Sequence, residues 1–180
     1  MTRSYPGMLD HSKEYFNNGP DVMMIHNGRV RKFDEVPEHP ELAQIIATES
    51  DLNRILTDWF QDDERLKQKT LAKCRFGALN FTADINGETI VSDHADCPHR
   101  GKCRGEFIVC QKPLINGEIV TTEEIKILKE ICGNDKNSTI ADNLGFALGT
   151  FKVVKTSLYK KCRFITKQQA AMAMFLEGLL

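Results

Sequence analysis

The sequence lacks long hydrophobic runs, has a single tryptophan and carries a net charge of only −1. Its apolar stretches, such as residues 170–176, are far shorter than the ~20 residues that a membrane-spanning helix needs. The first residues, MTRSYPGMLDH, contain no apolar signal core. We therefore expect a cytoplasmic protein with no membrane partner. With 180 residues, of which 41% are hydrophobic and 27% charged, the chain should form one globular domain or two small ones.

Common signatures of enzymes are also missing. The sequence has no phosphate-binding glycine loop ending in Lys-Ser/Thr, no H-E-x-x-H and no dinucleotide fingerprint. A nucleophilic cysteine beside His99 would need a base within hydrogen-bond reach and a third group to orient that base. Proximity in sequence supplies neither, and the N-terminal half lacks the alternating strand and helix pattern of a receiver domain. We expect a protein that is not an enzyme.

The charge is unevenly distributed along the chain. Residues 1–115 contain 15 basic and 18 acidic side chains, whereas residues 116–180 contain 9 basic and 7 acidic ones. Within the second part, residues 150–167 hold six basic side chains and no acidic one. Such a segment can neutralise phosphates and release their counterions, which is the main source of nonspecific affinity for DNA. The low net charge therefore does not exclude a nucleic-acid partner.

The N-terminal two thirds of the chain mix strand and helix signals. Residues 1–20 have no periodicity and are predicted to be a flexible arm. Two Asn-Gly pairs, at 27–28 and 86–87, each separate β-compatible segments and predict two hairpins. Apolar residues at helical spacing from Leu52 to Leu66 predict the main helix. Residues 21–115 should therefore form an α+β module.

Residues 116–180 change to a purely helical pattern. Four apolar stripes at helical spacing predict four helices in about 60 residues, joined by short glycine-containing connectors. In the third helix the apolar positions are 151, 154, 158 and 162, which leaves Lys152, Thr156 and Lys160 on the opposite face. The predicted fold is thus an α+β module followed by an all-α four-helix domain with one cationic helix.

This helical segment resembles the DNA-binding domain of LuxR/GerE-type regulators. The resemblance rests on Ile140-Ala141-Asp142-Asn143-Leu144, on Thr150-Phe151-Lys152 and on Lys160-Lys161, which follow the family's motif without a gap. It covers about the last 60 residues and implies a helix-turn-helix domain. Together with the segments CRFGALNFTADING and CPHRGKCRGEFIVC, the chain also resembles a group of small bacterial and phage-type regulators.

The resemblance implies the roles of particular residues. Residues 149–161 would be the recognition helix in the major groove, and residues 137–144 the scaffold helix that crosses the backbone. The positions that match base-contacting ones are Lys152, Val153 and Thr156. Phosphate contacts are assigned to Lys155, Lys160 and Lys161, and Thr150 belongs to the same DNA-binding face.

Six cysteines form two groups. Cys132 and Cys162 lie on apolar helix stripes and are predicted to be small core residues. The other four follow the spacing C-x22-C-x5-C-x6-C and are predicted to bind a metal: Cys74, Cys97, Cys103 and Cys110. Four thiolates satisfy the tetrahedral preference of Zn²⁺, although this spacing is not that of a standard zinc ribbon.

A structural Zn²⁺ is the favoured interpretation of the four cysteines, since a module of about 90 residues gains stability from a metal. Two alternatives remain open: an iron–sulfur cluster, also held by four thiolates, and four independent thiols. His94 and His99 lie close enough in sequence to replace one ligand.

Two functions of different classes fit these observations. The first is a sequence-specific DNA-binding transcriptional regulator. One form of this hypothesis is a regulator whose iron–sulfur centre senses redox state. The second is a protein-interaction adaptor with a zinc module. The lysine stripe favours the regulator, because protein interfaces are depleted in lysine. The last helix has more apolar surface than its domain should need, and we expect it to form a homodimer on double-stranded DNA.

Overall fold

The computed structural model describes residues 4–95 and 97–180. The chain divides into two compact units, of which the first ends at Gln111 and the second spans Lys112–Leu180. The predicted boundary after residue 115 falls at the end of the first strand of the second unit. No helix among the described residues is long and apolar enough to cross a membrane.

The first unit contains a five-stranded antiparallel sheet with the order β3-β2-β1-β4-β5. Its strands are β1 Lys13–Asn18, β2 Asp21–His26, β3 Arg29–Lys32, β4 Ile85–Asn86 and β5 Thr89–Ile90. A 3-10 turn at Phe33–Glu35 leads into three helices, which are α1 Pro40–Thr48, α2 Ser50–Phe60 and α3 Glu64–Arg75. This arrangement confirms the α+β layout that the sequence predicts.

Both predicted hairpins are present. Asn27 and Gly28 have φ angles of 51° and 71° between β2 and β3, the two positive values that a type I′ turn requires. The second hairpin pairs Asn86 with Thr89, so its two-residue turn begins at Gly87, where φ is 61°. Its two strands are only two residues long, which is shorter than the sequence pattern predicts.

The prediction of a flexible arm over residues 1–20 is wrong for residues 13–18. These residues form β1, which pairs in register with β2 from Lys13 opposite His26 to Asn18 opposite Asp21. Tyr15 in this strand is fully buried. The strand was obscured by the Pro and Gly residues of the turns at its two ends and by Asn17 and Asn18, which lie in the strand itself. Residues 1–3 of the predicted arm lie outside the described residues.

The main helix predicted around Leu52–Leu66 is two helices. The chain leaves α2 at Gln61, where φ is 53°, and re-enters a helix after Asp63, whose side chain accepts a hydrogen bond from the Leu66 amide at 2.9 Å. Helical spacing alone did not reveal this break, because the apolar stripe continues across it. The helices and the sheet share one core that includes Tyr15, Phe33, Leu56, Leu71 and Phe76.

The second unit contains a short hairpin and the four predicted helices. The hairpin joins β6 Leu114–Ile115 to β7 Glu118–Ile119 through Asn116-Gly117, a third Asn-Gly turn with two positive φ angles. The helices are α4 Thr122–Cys132, α5 Asn137–Asn143, α6 Leu148–Lys161 and α7 Lys167–Leu176. Their buried faces meet in a separate core that includes Leu128, Ile140, Phe151, Leu158 and Met174.

Replacing Phe151 with alanine is expected to destabilise the second unit by about 3–5 kcal/mol, because this fully buried ring fills the centre of its core. The free energy of unfolding is measured by urea titration with circular dichroism. Val153→Ala on the same helix is the matched control, since Val153 is 70% exposed and should change stability little. Equal effects of the two substitutions would contradict the packing described for α6.

Candidate functional site

The four cysteines predicted to bind a metal surround one cavity in the first unit. Cys74 lies in the last turn of α3, and the other three lie in the irregular segment that follows β5. All four line the same cavity of about 380 Å³, together with Trp59 and other side chains. The hairpin between Cys74 and Cys97 thus returns the chain to the helix, as the sequence predicts.

The sulfur atoms of the four cysteines are too far apart to coordinate one metal ion together. Among the described residues, no three of these thiols lie within 4.8 Å of one another. Sulfurs bound tetrahedrally to one zinc ion, at about 2.3 Å from the metal, are only about 3.8 Å apart. The thiol positions therefore surround a space wider than a zinc–tetrathiolate centre.

Arg75 fixes the segment that carries the cysteines. Its guanidinium, almost fully buried, forms two hydrogen bonds to the Glu49 carboxylate at 2.6 and 2.9 Å. The same group donates to the carbonyls of Ile108 and Val109 at 2.6 and 3.0 Å. The Arg75 carbonyl accepts from the Asp93 amide at 2.8 Å. One side chain and its backbone thus hold both ends of the cysteine-rich segment.

The lining of the cavity combines apolar walls with cationic groups. Trp59, Pro98 and Val109 form part of the wall, while Lys73 and Arg100 supply positive charge and Glu106 supplies negative charge. Burial, together with the neighbouring thiols Cys97, Cys110 and Cys103, raises the pKa of the Cys74 thiol to about 11. A cation bound at the cavity would oppose this effect and favour the thiolate.

The two histidines considered as replacement ligands differ in position. His99 lines the cavity with the four cysteines. His94 is buried, with 7% of its surface exposed. In the second unit, Cys162 is fully buried in the core and Cys132 packs against that core, so the prediction of two core thiols is confirmed.

Sequence reasoning missed a buried carboxyl cluster in the first unit. Glu14 of β1 meets Asp84 and Asp93 from the ends of the β4–β5 hairpin, with carboxyl oxygens all within 4.8 Å of one another. Asn80 donates its backbone amide to Glu14 and its side-chain amide to Asp93. Glu14 is far from the two aspartates in sequence and the three acids follow no motif, so only the sheet pairing reveals them. Their oxygens offer the hard ligands that divalent cations prefer.

Burial strongly affects the protonation of this cluster. Burial, and after it the charge on Asp93, raise the pKa of Glu14 to about 9, although the hydrogen bond from the Asn80 amide opposes this shift. The pKa of Asp84 is also raised, first by burial and then by the two neighbouring carboxyls. In the absence of a cation, the folded protein therefore holds protons on this cluster that the unfolded chain would release.

The second unit presents the predicted recognition helix. The turn between α5 and α6 is closed by Gly145, with φ of 70°, and by a 2.8 Å hydrogen bond from the Phe146 amide to the Ala141 carbonyl. Phe151 and Leu158 face the core, whereas Lys152, Thr156 and Lys160 are exposed on the opposite side. The amphipathic orientation predicted for this helix is confirmed.

The predicted DNA-binding residues differ in their exposure and in whether their side chains already have a partner. Thr150, Lys152, Val153 and Lys160 are exposed, and neither lysine forms an ion pair with a described residue. Thr156 donates its hydroxyl hydrogen bond to the Lys152 carbonyl at 2.8 Å, which leaves the oxygen able to accept.

Two of the lysines assigned to phosphate contacts already have partners. Lys161 binds both oxygens of Glu124 at 2.6 and 2.8 Å. Lys155 donates to the Asn137 side chain at 3.1 Å and lies over the Tyr159 ring. Each would have to leave or share its partner to bind a phosphate, so Lys152 and Lys160 are the readier cations.

No protein-family model, curated protein or solved structure matches this chain.

Stability is expected to fall as pH rises between about 4.5 and 9, the range between the ordinary pKa of a glutamic acid and that of folded Glu14. In this range the unfolded chain is already ionised, while folding still requires a neutral Glu14. The Glu14→Gln variant removes this requirement and should be more stable than the native protein at pH 8–9, by on the order of 1–2 kcal/mol.

Thermal unfolding across this pH range, in the presence of a chelator, tests the expectation. Glu38→Gln is the control, because Glu38 is exposed. A Glu14→Gln protein that is less stable than the native one at pH 8 would show that the cluster needs its ionised carboxylate.

Proposed function

We propose that this protein is a sequence-specific DNA-binding transcriptional regulator that reads the major groove with α6. The observation that supports this most directly is the orientation of α6, whose outer face exposes Lys152, Thr156 and Lys160 while Phe151 and Leu158 anchor it in the core. A helix held by its apolar side and cationic on the other suits a groove lined by phosphates.

The geometry before this helix supports the same function. Four residues separate α5, which ends at Asn143, from α6, which begins at Leu148. A short turn of this kind between two packed helices is typical of a helix-turn-helix motif. The first helix would then cross the DNA backbone while the second lies in the groove. This arrangement is also what the resemblance to LuxR/GerE-type domains implies.

The chemistry of the outer face of α6 suits base recognition. Val153 is 70% exposed, so its side chain is accessible to a partner. In the major groove, an apolar side chain can contact the methyl group of thymine. Lysine and threonine beside it can bond to base edges, and Lys160 at the far end of the helix can bind a phosphate.

The N-terminal unit is proposed to hold a metal centre on Cys74, Cys97, Cys103 and Cys110. Their convergence on one cavity supports this role. Such a centre would fix the irregular segment in which three of them lie, because that segment has no strand or helix of its own. The protein-interaction adaptor is the competing function, and DNA-binding measurements distinguish it.

Replacing both Lys152 and Lys160 with alanine is expected to weaken binding to duplex DNA and to reduce the steepness of its salt dependence. The slope of log affinity against log salt should decrease in magnitude by about 1, since the lost phosphate contact of Lys160 removes nearly one released counterion, whereas Lys152 is assigned to base edges. Binding is measured first with a pool of random-sequence duplexes and then with duplexes enriched from that pool.

Lys126→Ala provides the matched control, because Lys126 is exposed on α4 rather than on α6. It should leave the salt slope unchanged. Absence of binding to any duplex at low salt would overturn the proposed function and favour the adaptor. Binding without enrichment of any sequence would overturn sequence-specific recognition.

We further propose that α7 forms a homodimer. Ala170 and Met174 bury one side of this helix in the core, yet Met172 and Phe175 remain 58% and 50% exposed. Leu180, just beyond the helix, is 57% exposed as well. A second copy offers the same apolar surface, which a twofold axis would bring together.

The Met172→Asp substitution is expected to shift the protein from dimer to monomer, because it places a charge in the proposed apolar contact. Sedimentation at several concentrations, with and without DNA, measures the change. Gln168→Asp is the control, since Gln168 is an exposed polar residue of the same helix. A native protein that stays monomeric on DNA would contradict the dimer.

A further inference from the structure

We propose that the cavity lined by Cys74, Cys97, Cys103 and Cys110 binds a four-iron, four-sulfide cluster rather than a single zinc ion. This inference rests on the proposed metal centre and names its occupant. In such a cluster, four irons and four sulfides occupy alternate corners of a cube, and each iron binds one cysteine thiolate. The thiolates therefore surround the whole cluster instead of a single metal ion.

The spacing of the thiols is the first argument. Sulfurs on one zinc ion are about 3.8 Å apart, whereas those on a four-iron cube are about 6 Å apart. Within the described part of the chain, no three of the four thiols come within 4.8 Å of one another. All four nevertheless line one cavity, which is the arrangement that the larger cofactor needs.

The size and walls of the cavity are the second argument. Its volume is about 380 Å³, many times the roughly 30 Å³ that one water molecule occupies in the liquid. A single ion would leave most of this space empty. The walls contributed by Trp59, Ala95 and Val109 are apolar, and such walls shield an iron–sulfur cluster from solvent.

The scaffold opposes collapse of this space around a smaller ion. Arg75 directly follows Cys74 in the chain. Its guanidinium donates hydrogen bonds of 2.6 and 3.0 Å to the carbonyls of Ile108 and Val109, which lie just before Cys110. Gly105, two residues after Cys103, leaves no room for movement towards α2, because a Cβ placed on it would lie 2.5 Å from the Trp59 ring. The backbone that carries Cys103 and Cys110 is therefore restrained on both sides.

Two cationic side chains that line the cavity, Lys73 and Arg100, favour a cofactor with negative charge, while the one acidic side chain of the lining, Glu106, accepts a hydrogen bond from the Gly101 amide. A four-iron cluster with four thiolates carries a net charge of about −2 in its oxidised form. The Nη1 atom of Arg100 is buried and has no hydrogen-bond partner among the described residues, while Nη2 of the same group donates to the Ala95 carbonyl at 2.9 Å. Because Arg100 lines the cavity, a cluster sulfide or thiolate would satisfy this group.

One hydrogen bond to a thiol is already formed. The Gly105 amide donates to the Cys103 sulfur at 3.4 Å. Amide donors to sulfur stabilise the electron-rich cluster and help to set its reduction potential. The site thus has the four thiols, the space, the cationic group and the amide donor that such a cluster requires.

The test is the metal and sulfide content of the full-length protein, purified without oxygen from cells supplied with iron. We expect about four irons and four acid-labile sulfides per chain, with broad visible absorption that bleaches on reduction. The Cys110→Ser variant should lose most of the iron. Cys132→Ser is the matched control and should retain it, because Cys132 packs against the core of the second unit.

The possible failures are distinguishable. About one zinc per chain without sulfide would overturn the cluster and leave the proposed metal centre standing. A folded protein without metal would overturn both, and two irons with two sulfides would overturn the four-iron form. DNA binding, measured on the same preparations, tests the regulator function separately.

A second variant keeps the inference testable if Cys110→Ser does not fold. Arg100→Gln removes the positive charge beside the cluster and keeps an amide donor. It should retain iron but shift the reduction potential to a more negative value, since adding an electron becomes less favourable without the nearby cation. An unchanged potential would contradict the placement of Arg100 against the cluster.

Discussion

The ion pair between the buried guanidinium of Arg75 and the solvent-exposed carboxylate of Glu49 is the interaction on which the N-terminal unit most depends. Five donor hydrogens of one guanidinium can satisfy several acceptors at once, and here they bond to a carboxylate and to two backbone carbonyls of the cysteine-rich segment. That segment has no strand or helix to fix it. Removing the Glu49 carboxylate would leave the buried Arg75 charge without its counterion, and removing the Arg75 guanidinium would leave the two carbonyls without their donor. Because Cys74 immediately precedes Arg75, the same interaction places the first thiol opposite the other three.

The second unit depends on a different constraint, which is that α6 has an apolar face packed against the core and a cationic face exposed to solvent. Phe151 and Leu158 tie the helix to the core and so determine which side chains point outward. The ion pair of Lys161 with Glu124 then joins the end of α6 to α4 and removes one lysine from the free cationic surface. Cationic side chains on a rigid helix keep their spacing, which is what recognition of a regular polyanion demands. The charge of the whole chain says little about such a surface, because acidic residues elsewhere offset it.

Much of the secondary structure follows from local rules, and its failures have physical causes. Asn27-Gly28 predicted its hairpin correctly because positive φ at two successive residues is cheapest there. The α-helical unit was predicted because its apolar residues recur at helical spacing, and the structure adds a capping box formed by Thr121 and Glu124 at its first helix. Strand β1 was missed because its composition is not typical of a strand. The hydrogen bonds that form it come from pairing with β2. The cluster of Glu14, Asp84 and Asp93 was invisible for the same reason, since strand pairing brings these acids together.

The sequence by itself determined the elements whose information is local: the Asn-Gly turns, the helical unit, the exposed lysines of α6 and the choice of four candidate thiols. These depend on residues within a few positions of one another. Only the tertiary structure decided how far apart the thiols stand and which lysines already have partners. It also decided that an arginine beside Cys74 fixes the cysteine-rich segment. Distances between residues such as Cys74 and Cys110 depend on packing across the whole unit, and no local pattern encodes them. The preference between zinc and an iron–sulfur cluster rests on those distances.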